Sequence, residues 1–502
     1  MVDLDYLKKS PWQKFWFRFA AFFKALPKKL AAFFKAIPQK LKKLWLAFIG
    51  IFVNIGKAAK DGDWKTRTSF LLMGFGLIAR KQYLRGILYM LFEVLFVLYM
   101  VFFGWKYLAK MGSLGEVAKV EVWDDALGAY TYKFYDNSLL ILLYSLLTIF
   151  IMAGFLYGWY QNVKGNLLSQ QFVEAHRALP TSKDDLRSCA DKNYHKTLLS
   201  VPMLGLVVFT VLPIFFMVFI AFTNYDKAHL PPNELFRWNG VDNFVTLFGG
   251  GVSADSKAFA YTFGEVLLWT IVWAVFATFT NYILGMIVAI LINKKGVKFK
   301  KVWRTILVMT IAVPQFVSLM FMSQLLADQG LINNLLMKWG WIDHAIPFLT
   351  DGTVAKVTII VVNMWIGIPY SMLICTGILM NIPADLYESA RMDGSGPIRA
   401  YMKITLPYML HVTTPYLITQ FIGNLNNFNV IFLLTGGNPS SLDMQFAGKT
   451  DLLITWLYKL TVSESQYGIA SVIGIVTFVI VAVFSLILYN RSKSVKNEED
   501  FM

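Results

Sequence analysis

A chain of 502 residues that is 56% hydrophobic and only 16% charged falls well short of the roughly 25% charged residues of a soluble domain. Several apolar runs are longer than about 20 residues, enough to cross a hydrocarbon core of about 30 Å, so a soluble fold is excluded. The formal net charge of +16 is concentrated at one end, which points to an anionic lipid surface and not to nucleic acid.

That end comes first in chain order. Residues 1–67 carry 15 Lys+Arg against 4 Asp+Glu. Ala20–Leu30 (AAFFKALPKKL) and Ala31–Leu41 (AAFFKAIPQKL) form an 11-residue duplication. Phe22, Phe23, Phe33 and Phe34 alternate with lysines, and Pro27 and Pro38 divide the stretch into short pieces. Basic amphipathic pieces of this kind lie in the lipid interface. Residues 1–80 are therefore expected to form an interfacial segment that binds anionic lipids; a docking element for a partner subunit is the other reading. The N-terminus has neither the apolar stretch nor the small-residue cleavage site of a signal peptide. Residues 68–78 (TSFLLMGFGLI) are too short to span and are expected to be interfacial.

Eight spans are predicted, at about 84–108, 138–160, 199–223, 263–292, 304–327, 355–380, 408–434 and 467–490. Lys294, Lys295, Lys298, Lys300, Lys301 and Arg304 lie between the fourth and fifth spans with no acid, which makes that loop cytoplasmic. Residues 109–137 hold three Lys against five Asp+Glu and face out. Alternation then places 161–198, 381–407 and both termini inside. The expected class is an all-α polytopic membrane protein. Its parts are an interfacial segment at 1–80, two additional spans with a cytoplasmic loop at 81–198, a six-span core at 199–491 and a cytoplasmic tail at 492–502. Glu93 is a carboxylate deep in the first span, expected to be paired or protonated against a neighbour.

The loop Pro383–Pro407 (PADLYESARMDGSGPIRAYMKITLP) reads as a rigid cytoplasmic knob. Pro383 suits a helix start. Leu386, Tyr387 and Ala390 share a face, with the small Ser389 beside them and Glu388 and Arg391 flanking. Gly394 permits the left-handed turn that ends a helix. Pro397 opens a second short helix, expected to turn Ile398, Tyr401 and Met402 toward the membrane, and Pro407 is expected to start the next span.

Polar side chains inside a bilayer are costly and usually face a bundle interior or cavity. The fifth span offers Gln315, Ser318 and Gln324, the sixth Asn363 and Tyr370, the seventh Gln420, Asn424, Asn426 and Asn427. Gln420, Asn424 and Asn427 share a helix face. Gly367 and Pro369 loosen the sixth helix near Asn363. Amides both donate and accept, so they suit the hydroxyls of a neutral polyol, and Tyr370 or Trp365 could stack on a sugar ring. Hydrogen-bond glue between helices is the alternative.

Glu388, Ala390, Gly394, Ile404, Leu406 and Pro407 match a Glu-x-Ala-x-x-x-Gly, nine residues, Ile-x-Leu-Pro pattern. Through it the chain resembles the permease subunits of binding-protein-dependent ABC importers; Ser389 stands where alanine is common. Ala221–Tyr225, Val361–Tyr370, Leu379–Pro407 and Asn424–Phe428 extend the likeness over about 199–491. It is strongest to the larger permease subunit of maltose/maltodextrin importers. The resemblance implies that the knob is a coupling helix seated in a groove of an ATPase subunit. It implies that Asn363, Ile366, Gly367, Tyr370, Asn424 and Asn427 contact sugar, with Gln420 in place of a serine; Ser318 joins them as a polar residue of the fifth span. It implies partners: a second permease, two copies of an ABC ATPase and an extracellular sugar-binding lipoprotein. Only residues 225–262 stand where Gram-negative members carry a large extracytoplasmic domain, which suggests a Gram-positive plasma membrane.

The chain is expected to be no enzyme and to bind no cofactor, with ATP and Mg used by the partner ATPases. Gly448-Lys449-Thr450 resembles the end of a phosphate-binding loop, but Asp443 stands where its first glycine belongs. Cys189 and Cys375 imply no disulfide, the five histidines have no metal spacing, and no paired carboxylates support a membrane enzyme. A proton- or sodium-coupled carrier would call for charged midplane residues. Galacto- and raffinose-type sugars remain alternative cargoes. A glycerol phosphodiester would call for Arg or Lys in the cavity, where none is found.

Overall fold

The computed structural model describes residues 45–46, 49–125, 127–132, 134–251, 253–294 and 296–491, with side chains as far as residue 487. The expected reading of residues 1–44 lies outside them. The chain divides into two compact units: residues to 109 with 144–212, and 110–143 with 213 onward.

Among the described residues, six helices are long and apolar enough to cross a membrane, and two bent pairs raise the number to eight. In chain order they are α1 (Tyr83–Leu108), α2 (Ser138–Glu174), then α3 (Ser182–Ala190), a short polar helix, and α4 (Tyr194–Ile220). Next come α5 (Ala254–Asn293), α6 (Lys300–Ala312), α7 (Gln315–Leu325) and α8 (Gly352–Leu379). The series ends with α9 (Ala384–Met392), α10 (Pro397–Leu425), α11 (Phe428–Leu434), α12 (Leu453–Val462) and α13 (Tyr467–Arg491). A two-stranded antiparallel hairpin, β1 (Glu121–Asp124) with β2 (Ala129–Tyr132), lies between α1 and α2 in sequence.

Two expected spans are bent and one runs longer than expected. In the fifth, α6 and α7 meet at 89°. Pro314 pushes the preceding residue out of the helical region, and Val313 is extended at φ −78°, ψ 127°. The seventh span bends by 42° after Leu425, where Asn426 and Asn427 leave helical geometry and the Asn427 side chain caps α11. The second span does not stop near 160 but runs to Glu174. That extension carries Asn162, Asn166, Ser169 and Gln170, all buried.

In the first unit those residues hold the segment 61–82. Arg80 sits 2.5 Å from Asp63 and also donates to Thr66 (2.8 Å) and Asn166 (3.2 Å). Asn162 donates to the Ser69 carbonyl and accepts from the Gly74 amide, at 2.9 and 3.0 Å. Residues 68–78 form turns and one short helix, Phe75–Ile78, with no spanning element. The carboxylate of Glu93 has a partner: it accepts from the Met73 backbone N–H at 2.8 Å.

In the second unit α5 is the spine. Trp269, Trp273 and Ala277 pack with Leu319, Ile359, Val362 and Val430. Further along, Tyr282, Met286 and Ala289 pack with Met372, Cys375 and Met409. Lipid tails are as apolar as leucine, so close approach drives helix association in a membrane. Gly285 provides it: a β-carbon there would lie 2.5 Å from Ser371 Cβ.

Candidate functional site

The polar face of the second unit is assembled on α5. Thr278 and Asn281, three residues apart, share a face of that helix. Asn424 of α10 donates to Thr278 Oγ1 at 3.0 Å, and Asn427 donates to Asn424 Oδ1 at 3.4 Å. On α8, Gly367 lies directly against Asn281: a β-carbon at 367 would fall 2.0 Å from Asn281 Nδ2. Asn363, one turn earlier on α8, is 6% exposed. Its Nδ2 and the Asn281 Oδ1 are buried without a hydrogen-bond partner. Unpaired buried amide atoms are uncommon because each carries a desolvation penalty. Two of them on the facing helices α8 and α5 mark a surface whose hydrogen-bonding capacity is unspent.

Of the predicted contact residues, Asn363, Gly367, Asn424 and Asn427 are drawn together through α5. Ile366 is half-buried against the apolar cluster around Trp273 and Val362. Tyr370 is 47% exposed, its ring 6.3 Å from that of Tyr416; Tyr416 in turn pairs with Ser371 at 3.3 Å. Gln420 is half-buried on the α10 face. Ser318 is half-buried on α7, one turn beyond the bend. Thr278 and Asn281 were missed by sequence reasoning. Their signal is an i, i+3 polar pair on one face of a span that also holds Thr270 and Thr280.

The knob is built largely as expected. α9 runs from Ala384, with Pro383 preceding it. Gly394 closes it at φ +69°, and the Ser395 N–H reaches back to the Ala390 carbonyl at 2.9 Å. Tyr387 ties α9 to the foot of α10 through Thr405 at 2.8 Å. Glu388 and Ser389 are exposed, and Ala390 and Ile404 are half-buried. Met392 and Ile398 are 88% and 80% exposed, an apolar display that suits a protein partner.

Tyr401 packs onto the Met286–Met409 cluster with Leu406, while Ile398 and Met402 are exposed. One detail differs from expectation. Pro407 does not begin the span. The helix runs continuously from Pro397, with a π-turn at Tyr401–Thr405 that accommodates the missing proline N–H. The knob's second helix and the span carrying Asn424 are thus one piece.

Gly448-Lys449-Thr450 is a structural turn. Thr450 is fully buried, donates to the Asn438 carbonyl at 2.7 Å, and its own carbonyl accepts from Trp269. Cys189 is exposed and Cys375 buried, both free. Among the described residues no group of His, Cys, Asp and Glu is arranged to hold a metal ion.

Residues 281–497 match the family described as binding-protein-dependent transport system inner membrane component. The galactooligosaccharides transport system permease protein of Bacillus subtilis is 33% identical over 430 residues, which cover 85% of this chain and 97% of that one. The maltodextrin transport system permease protein of the same organism is 32% identical over 440 residues, 86% of this chain and 95% of that one. A maltodextrin permease of Streptococcus pneumoniae is 32% identical over 430 residues, 84% and 94% of the two chains. Among solved structures, a chain of a bacterial ABC transporter involved in the import of the acidic polysaccharide alginate aligns with a TM-score of 0.51 at 22% identity. It covers 62% of this chain and 98% of that one, which shows a shared fold.

Proposed function

This chain belongs to the family of binding-protein-dependent transport system inner membrane components, and from that premise we propose that its polar intramembrane face passes neutral oligosaccharides, maltodextrin foremost, into the cytoplasm. It is a permease subunit of an ABC importer. The observation that carries the cargo assignment is the pair of unpartnered amide atoms on Asn363 and Asn281 beside the Asn424–Asn427 pair. Sugar hydroxyls donate and accept, so they match amides that offer one free donor and one free acceptor. Neither Arg nor Lys belongs to the cluster, as suits an uncharged cargo. The exposed rings of Tyr370 and Trp365 offer flat apolar faces for a pyranose.

The galacto-oligosaccharide reading is supported by a relative of nearly equal identity, and an uptake panel of the two sugar classes separates them. In the proposed assembly a second permease completes the cavity and two ATPase subunits use ATP and Mg. This chain itself catalyses no reaction. An extracellular lipoprotein delivers sugar, both termini are cytoplasmic, and the basic residues before 45 rest on anionic lipid. Glu388, Ser389, Ala390 and Gly394 form the surface that enters the ATPase groove. Ile404, Leu406 and Pro407 lie on the continuous α10, which carries the motion to Asn424. The Bacillus and Streptococcus relatives support a Gram-positive membrane.

Asn363→Ala and Asn424→Ala each remove hydrogen bonds worth about 0.5–1.5 kcal/mol, so half-saturation for sugar uptake should rise roughly two- to tenfold with the assembly intact. Unchanged half-saturation in both, with delivery shown not to limit uptake, would return these amides to the role of interhelical glue. Glu388→Lys should leave the chain inserted and abolish uptake; normal uptake with normal ATPase retention would remove the knob from the coupling path.

A further inference from the structure

The first unit carries a feature that transport does not use. Between α1 and α2 lies a groove of about 560 Å³, lined by Leu88, Phe92 and Tyr157 and by Gly154 and Gly165, with Arg85 in the first turn of α1. A β-carbon placed on Gly154 or Gly165 meets no atom within 4 Å, so the missing side chains leave open space. Leu88, Leu91 and Leu95 on the same helix are more than half exposed, as on a helix bathed in hydrocarbon. Beside the start of α1 opens a second cavity, of about 650 Å³, lined by Arg80, Lys81, Arg177 and Lys183 and by no carboxylate. Tyr83 lines this cavity and Arg85 lines the groove, so both openings lie at the same end of α1.

Only part of the charge in the basic cavity is balanced by ion pairs among the described residues. Arg80 is committed to Asp63, and Arg85 to Asp185. Lys81, Arg177 and Lys183 are exposed and make no ion pair among the described residues. Asp184, next to Lys183, is held at the head of α3 by the Thr181 N–H and hydroxyl at 2.9 and 2.8 Å and offsets part of the Lys183 charge. An apolar groove facing hydrocarbon takes an acyl chain, and three cations without an ion pair near the same end of α1 favour an anion. One molecule supplies both.

We propose that α1 and α2 hold an anionic phospholipid, its headgroup in the Lys81–Arg177–Lys183 cavity and one acyl chain in the groove beside Gly154. The site uses none of the basic residues before 45, and it makes this unit a lipid-dependent part of the permease.

The test is native mass spectrometry of the chain purified with its accompanying subunits and titrated with phosphatidylglycerol, phosphatidylcholine or inorganic phosphate. Phosphatidylglycerol should be retained at one copy in preference to phosphatidylcholine. The triple variant Lys81→Ala, Arg177→Ala, Lys183→Ala should weaken it at least tenfold, since each charge near the surface contributes about fivefold. Gly154→Leu, which puts a side chain into the groove at a position where a β-carbon meets no atom, should weaken phosphatidylglycerol and leave the basic cavity intact. Residues 1–67 are unchanged in every variant, so their own lipid affinity cancels. Equal retention of phosphatidylcholine, undiminished affinity in the triple variant, or inorganic phosphate binding as tightly as the lipid would each overturn the proposal. If the triple variant fails to assemble, unchanged affinity in Gly154→Leu overturns it alone.

Discussion

Two polar clusters sit inside this largely apolar chain, and they treat their hydrogen bonds differently. Around Arg80 in the first unit, the guanidinium, Asp63, Thr66, Asn162, Asn166 and Gln170 satisfy one another and the backbone of 61–76. Around Asn281 and Asn363 in the second, two amide atoms remain unpaired. Among the described residues, every buried side-chain nitrogen or oxygen without a partner belongs to the second unit. In a low-dielectric interior a closed network rigidifies, whereas an open one costs stability wherever nothing else completes it. The first cluster therefore reads as structure, and the open second one is what the proposed cargo role rests on.

The comparison breaks most visibly at Arg80. Arg80→Leu leaves Thr66, Asn166 and part of Asp63 without their donor. The loss should be about 3 kcal/mol, at the low end for a broken buried pair because Asp63 keeps some solvent. Thermal unfolding of the solubilised chain reads it, and a midpoint within error of wild type would show that the network is not closed as described. The same exchange at Asn363 or Asn281 removes atoms already unpaired and should leave the midpoint nearly unchanged.

Gly367→Ala comes next. The new methyl group collides with the Asn281 amide, an overpacking cost of about 1–3 kcal/mol. The double variant Gly367→Ala, Asn281→Ala should regain most of it. Failure of that rescue in thermal unfolding would place the strain in the backbone instead. Smaller still, Asn281→Ala alone should raise half-saturation for sugar uptake roughly two- to tenfold. Wild-type half-saturation would take Asn281 out of the cargo face.

The smallest contrast is one of pH. Burial drives the Asp451 carboxyl above the ordinary 3.8, although Lys459 at 2.6 Å and the Gly448 N–H oppose it. Burial pushes Asp63 the same way, but hydrogen bonds from Thr66 and the Arg80 charge outweigh it and hold Asp63 below 3.8. A raised carboxyl binds its proton more readily folded than unfolded. Protection of 435–459 should therefore increase as pH falls from neutrality toward 3.8. A lowered carboxyl contributes stability above 3.8 that is lost only as pH falls through its folded value, so 60–82 should hold steady over the same interval. Hydrogen exchange corrected for intrinsic rate measures both; parallel behaviour of the two segments would refute the assignment.

Much of this was legible in residue order, because hydropathy and span length report directly on the solvent a helix meets. The knob was legible through Pro383, Gly394 and Pro397, whose backbone restrictions act locally. Asn363, Asn424 and Asn427 stood out because amides are costly in hydrocarbon, and Gly367 because it loosens the helix beside Asn363. Thr278 and Asn281 did not: their importance lies in which residues of other helices they meet. The Arg80 network was hidden for the same reason, since its members are about 100 residues apart and 161–174 read as loop.

By itself the sequence determined the membrane class, the eight apolar segments and the chemistry of the knob, all set by short-range geometry and by transfer from water to lipid. Tertiary structure alone decided that the fifth span breaks by 89° and that the second continues to Glu174. It also decided that the knob and α10 form one continuous helix and which amides close on one another. The reason is physical: whether a buried amide is glue or ligand surface depends on a partner within about 3 Å, and that partner is supplied by another helix, far away in the chain.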